Sequence, residues 1–145
     1  MSDGQNQLVA GQLEVGQTGP SLVVDDLSRK DIVKYAGASG DFNPIHYSDA
    51  YAKQAGNKSV FAHGMMSAGF VSRLLCDWFG LGNITQFSTR FQRQVWPGDT
   101  LTVRGRITDL DRRAESVIVT AEVTVSNQDD QTVIDAQASS TVPYQ

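Results

Sequence analysis

Residues 64–79, Gly-Met-Met-Ser-Ala-Gly-Phe-Val-Ser-Arg-Leu-Leu-Cys-Asp-Trp-Phe, form the longest apolar stretch of the chain. On a helical wheel the apolar side chains run almost all the way round, so the stretch predicts a helix that other elements enclose rather than one lying on a surface. Gly80 and Gly82 end it. The rest of the chain supplies an enclosure. Residues 85–95, 100–110, 117–125 and 133–142 are rich in β-branched and aromatic residues, separated by Pro97-Gly98-Asp99, by 111–115 and by 127–131. Strands so close in sequence predict an antiparallel meander. A buried helix with such a sheet wrapped around it predicts an α+β domain.

The chain ahead of that helix reads differently. Residues 1–12 are polar and Gly-rich, and a loose segment is expected there. Residues 22–24, Leu-Val-Val, suit a short first strand. Ser28 can cap a helix with Asp31 in its first turn and Ile32, Val33, Tyr35 and Ala36 on its apolar side, and the helix stops within 37–40. Ser48 caps a second short helix over 49–55, closed by Gly56. Residues 35–56 are therefore an excursion from the sheet, the kind of segment on which function sits.

The chain has only two histidines, His46 and His63, and both lie in or just after that excursion, near Asp41 and Asn43. Gly40 permits a backbone conformation closed to other residues, and Pro44 pushes Asn43 towards an extended one, so Asp41 and His46 sit on an ordered, non-helical segment. A carboxylate within reach of an imidazole can act as a base beside an acid, or the two can jointly hold and activate one water. Asn43 offers a donor and an acceptor that could orient that water. Taken alone, the same residues also read as ordinary turn-formers beside a structural histidine.

Tyr35, Ser39-Gly40-Asp41, Asn43-Pro44-Ile45-His46 and Ala52 resemble, in order and spacing, the hydratase 2 signature of the MaoC-like family: the (R)-specific enoyl-CoA hydratases and related 3-hydroxyacyl dehydratases. Ala62-His63-Gly64-Met65 resembles the start of that family's central helix, and residues 95–101 its later strand-turn-strand segment. The resemblance covers most of the chain from about residue 20 onward, and implies one hot-dog domain over residues 1–145. It implies that Asp41 and His46, with Asn43, bind one water, take its proton as it attacks Cβ of a 2-enoyl thioester, and return a proton to Cα on the same face. The product would be an (R)-3-hydroxyacyl thioester of coenzyme A or an acyl carrier protein. Gly64 would supply the oxyanion donor, as a first-turn N–H with no side chain in the way. Ser72 occupies the place of a family site serine and is a supporting candidate, although helical serines also bond back to their own backbone. His63 is a second supporting candidate, in a packing or hydrogen-bonding role.

At 145 residues and 15.8 kDa the chain is large enough for one domain with a real core. A net charge of -4 gives no sign of nucleic-acid binding, and the arginines at 90, 93, 104, 106, 112 and 113 read mostly as solvated strand positions, with one or two available to phosphate or an acidic carrier. The single cysteine, Cys76, reads as a buried packing residue. No apolar run approaches a membrane span and no signal-peptide core is visible, so a cytoplasmic protein is expected, without a membrane partner. Asp41, His46 and His63 would make two His and one carboxylate, but the hydratase reading needs no metal. There is no Walker loop, complete G-x-G-x-x-G or G-x-S-x-G elbow, so no cofactor is expected. A hot-dog monomer exposes a sheet edge, so a homodimer or larger assembly is expected, with a paralogous partner as the alternative. Two rival functions stand beside the hydratase: an acyl-thioester hydrolase and a non-catalytic stabilising subunit. Acyl-chain length depends on how Phe42, Tyr47, Met65, Met66, Phe70, Trp78 and Phe87 pack.

Overall fold

The computed structural model describes residues 9–144. The elements run β1 (Leu22–Val24), α1 (Arg29–Ser39), α2 (Asp49–Gln54), α3 (Gly64–Phe79), β2 (Ile84–Phe91), β3 (Leu101–Arg112), β4 (Ser116–Ser126) and β5 (Thr132–Pro143), with a 3-10 turn over Pro44–His46. The five strands make one antiparallel sheet in the order β1-β3-β4-β5-β2, folded against α3 as a hot-dog.

The core follows from strand alternation. Leu101, Val103, Gly105 and Ile107 of β3, and Val117, Val119, Ala121, Val123 and Val125 of β4, turn one face of the sheet inward. Val71, Leu74, Leu75 and Trp78 of α3 pack against that face, each such side chain contributing roughly 1.5–3 kcal/mol by leaving water. The indole of Trp78 lies so close to the backbone that a Cβ on Gly105 would stand 2.6 Å from it, and one on Gly19 2.5 Å. Only glycine fits at either place.

The meander is confined to β3, β4 and β5. β2, expected beside β3, pairs instead with β5 at the far edge. The reason is the path of residues 92–100, which make no hairpin but cross the entry of α3, held there by Ala62 N–H to Val95 O (2.8 Å) and by Gly98 N–H to Leu27 O (2.8 Å). The strand itself stops at Phe91, short of the expected 95.

Enclosure of α3 is also incomplete. Met65, Gly69, Arg73 and Asp77, spaced four apart, form an exposed stripe, and Cys76, expected to be buried, is half-buried beside it. β2 is exposed along most of its length, although Phe87 and Phe91 pair with the inward-facing Ala138 and Ile134.

Of the segment expected to be loose, residues 1–8 lie outside those described. Ala10–Gln12 form a 3-10 turn, and Ala10 is buried against the core because Arg112 donates to the Leu13 carbonyl at 2.7 Å and fixes the approach. Among the described residues, no helix is long and apolar enough to cross a membrane.

Candidate active site

The excursion is built by capping. Ser28 Oγ accepts from Asp31 N–H while the Asp31 carboxylate accepts from Ser28 N–H, a reciprocal box that starts α1. Gly40 ends it with φ of 74°, the left-handed value that a residue with a Cβ rarely adopts. Asn43 then caps the 3-10 turn, its Oδ1 accepting from Ile45 N–H at 3.1 Å. That use leaves the Nδ2 of Asn43 and one lone pair of its Oδ1 for a ligand. Asp49 opens α2, and its carboxylate binds the Arg29 guanidinium at 2.9 Å and the Val60 N–H at 3.1 Å, tying α1, α2 and the 57–62 loop together.

Within this frame Asp41 and His46 face one another. Asp41 Oδ1 accepts from Asn43 N–H at 3.2 Å, which turns Oδ2 towards His46 Nε2 at 3.9 Å. The His46 ring is largely buried, and its Nδ1 lies 2.7 Å from the Phe61 carbonyl. A carbonyl can only accept, so in the neutral ring Nδ1 donates and Nε2 presents its lone pair on the Asp41 side. Two acceptors 3.9 Å apart, one exposed and one buried, can each take a hydrogen from a single water.

His63 completes the cluster from the other side. Its ring stacks on that of His46, centroids 3.8 Å apart and 25° from parallel, and meets Tyr35 at 4.8 Å. Nε2 of His63 donates to the Asp41 carbonyl at 3.0 Å, while its buried Nδ1 has no partner among the described residues. Ligand atoms of Asp41, His46 and His63 lie within 4.8 Å of one another. The two rings are nearly parallel, however, and in-plane lone pairs on parallel rings converge poorly on one ion, so the arrangement suits water better than a metal.

His63 is also the N-cap of α3, so the next residue, Gly64, presents one of the unpaired N–H groups of the first turn. The Phe91 ring lies over it, at 3.2 Å from where a Cβ would be. Ser72 sits two turns further along, half-buried, and is not among the residues that line the cavity beside Gly64. Ser67 does line that cavity, with a buried Oγ that lacks a partner among the described residues. The sequence carried a signal for this residue, since position 67 is one helical turn after Gly64 and so on the same side of the helix.

Residues 14–129 match the family described as MaoC like domain. The chain belongs to that family. The MaoC-like chain is 36% identical to an (R)-specific enoyl-CoA hydratase from Rhodospirillum rubrum over 119 residues, 81% of each protein. It is 32% identical to a 3-hydroxybutyryl-CoA dehydratase from Methylorubrum extorquens, over 90% of this chain and 82% of that one. Among solved structures, the (R)-hydratase from A. caviae involved in PHA biosynthesis superposes with a TM-score of 0.81 at 29% identity, covering 92% of the MaoC-like chain and all of the other (100%).

Proposed function

We propose that this chain is a hydro-lyase that adds water to 2-enoyl thioesters with (R) stereochemistry and, in reverse, dehydrates (3R)-hydroxyacyl thioesters, the acyl group being carried by coenzyme A or an acyl carrier protein. The named activities of its relatives support the class of reaction. The observation that carries the mechanism is the 3.9 Å gap between Asp41 Oδ2 and His46 Nε2, with Gly64 N–H in the adjoining segment.

A water donating to both acceptors attacks Cβ, and its proton passes to the pair. The π electrons move onto the thioester, whose oxygen becomes negative and is met by Gly64 N–H at the positive end of α3. The pair then returns one proton to Cα on the face from which the water came. The product has gained one oxygen and two hydrogens, and the pair ends as it began. Asn43 Nδ2 and the supporting residue His63 hold and orient rather than transfer protons, whereas Ser72, away from the cavity beside Gly64, takes no part.

Subunit pairing belongs to the same proposal. β2 is an edge strand with Phe87 and Phe91 exposed, Met65 is exposed on the open stripe of α3, and a second copy or a paralogous hot-dog chain would cover them.

The test is loss of the enoyl-thioester absorbance of crotonyl-CoA with the purified chain and with Asp41→Asn and His46→Ala. Turnover to an (R)-3-hydroxyacyl product without free thiol, abolished in both variants, is expected. Turnover unchanged by either substitution would overturn the proposed site, and released thiol would overturn the proposed reaction.

A further inference from the structure

Ser67 lies on the enclosed side of α3, 2% exposed, and its hydroxyl oxygen has no hydrogen-bond partner among the described residues. A serine inside a helix ordinarily bonds back to the carbonyl four residues earlier. Here that carbonyl belongs to His63, and it already accepts two N–H groups, from Met66 at 3.1 Å and from Ser67 itself at 3.4 Å. A carbonyl has two lone pairs, so the hydroxyl hydrogen finds no place there. The same turn holds a second unpaired group. His63 is also 2% exposed, and its Nε2 donates to the Asp41 carbonyl at 3.0 Å, which leaves Nδ1 as a bare lone pair. Although His63 is the N-cap of α3, its side chain makes no bond to the first turn, and Nδ1 has no partner among the described residues.

A buried donor without an acceptor and a buried acceptor without a donor, one helical turn apart, complement each other, and leaving both unpaired costs free energy at each. Cα–Cβ bonds in a helix lean towards its N-terminus, so position 67 lies over the turn that begins at His63. We infer that Ser67 is a positioning residue whose hydroxyl donates to His63 Nδ1. The connection is direct after rotation about the Ser67 Cα–Cβ bond, or runs through one water; either way Nδ1 receives a hydrogen. A chain of bonds then runs from Ser67 O–H to His63 Nδ1, and from His63 Nε2–H to the Asp41 carbonyl, with no proton moving along it. Its effect is to fix the tautomer of His63. With the hydrogen on Nδ1 instead, the Nε2 lone pair would face the Asp41 carbonyl oxygen, two acceptors 3.0 Å apart. Asp41 would lose its tether, and its carboxylate the placement 3.9 Å from His46 Nε2. The effect on turnover rests on the hydratase reading above, whereas the bond itself does not. Ser67 also borders the cavity beside Gly64, so a bond to substrate is the rival use of its hydroxyl.

His46 and His63 are the only histidines of the chain, so protein isotope-labelled at the histidine nitrogens gives two imidazole patterns, and their proton–nitrogen NMR correlations report the tautomer of each ring. His46→Ala removes one pattern and so assigns the other. In the wild type the His63 pattern should be that of an Nε2–H ring with a hydrogen-bonded Nδ1, and Ser67→Ala should convert it to a mixture of tautomers. For crotonyl-CoA, Ser67→Ala should lower kcat by about tenfold, the worth of one buried hydrogen bond, with KM unchanged, at a temperature where melts show the variant folded. An Nδ1–H ring at His63 in the wild type, a His63 pattern that Ser67→Ala leaves as it was, or a kcat that it leaves intact overturns the inference. A KM rise with kcat intact would assign the hydroxyl to the substrate instead. If the pattern changes as expected and the wild type turns over no thioester, the bond stands and the hydratase reading falls.

Discussion

The imidazoles of His46 and His63 lie face to face at 3.8 Å, and each donates to a backbone carbonyl of the segment that carries the other. His46 holds Phe61, two residues before His63. His63 holds Asp41, the acid that faces His46.

Replacing His63 separates its two contacts. His63→Phe keeps a flat ring against His46 but loses the bond to the Asp41 carbonyl, whereas His63→Ala loses both. If His63 positions the pair, kcat falls in both variants, more in the alanine one, while KM for crotonyl-CoA changes little. A simple packing role would instead lower thermal stability with kcat of the folded fraction intact. Steady-state kinetics alongside thermal melts distinguish the two.

Asp41→Asn and His46→Ala should each lower kcat by about 10²–10⁴-fold, the usual worth of a positioned acid-base group. If the two hold the same water, as proposed, the double variant should be scarcely worse than the poorer single one. A product of the two single effects would mean that they act independently.

Gly105→Ala should be among the most destabilising single-methyl additions in the chain. The new Cβ would sit 2.6 Å from the Trp78 ring, which is buried and packed beside Phe79. A loss of about 1–3 kcal/mol is expected from overpacking of this kind, read as a lower denaturant midpoint. Gly37→Ala, on an exposed helical position with open space around it, should show no such loss and serves as the control.

The Asp49 carboxyl is held below the ordinary aspartate value of 3.8, first by the Arg29 guanidinium and then by the Val60 N–H. A group whose folded value is lowered stabilises the fold fully above the unfolded value, and that contribution is lost as pH falls through the folded one. Both partners are partly exposed, so solvent screening keeps the effect small. Wild type and Asp49→Asn should therefore differ in stability near neutral pH and converge in acid, which pH-dependent urea melts will show.

Local grammar was legible in the sequence to within a residue or two: α3, β1, the capped start of α1 and the motif between Ser39 and His46 all stand where the residues put them. The misplaced pieces share one cause. Whether β2 joins β3 or β5 depends on which edge residues 92–100 reach, and hydrophobic pattern records which face a strand buries but not which neighbour it takes. The exposed stripe on α3 was hidden for a related reason, since Met65 and Gly69 look like core residues until the sheet is seen to reach only part of the way round. The cavity beside Gly64 gathers side chains from residues 58–67, 91–99 and 127–133, a convergence with no signature along one dimension.

The crossed histidine bonds make the proposed catalytic centre a latch between two parts of the chain. Neither the excursion nor the entry of α3 can hold its half in shape alone, so the centre exists only while both are docked. Local opening of the excursion, which is tied down by few buried side chains, releases the latch without disturbing the sheet. Catalysis should then disappear at denaturant concentrations where the β-sheet signal is still native, making activity a gauge of that docking rather than of the fold as a whole.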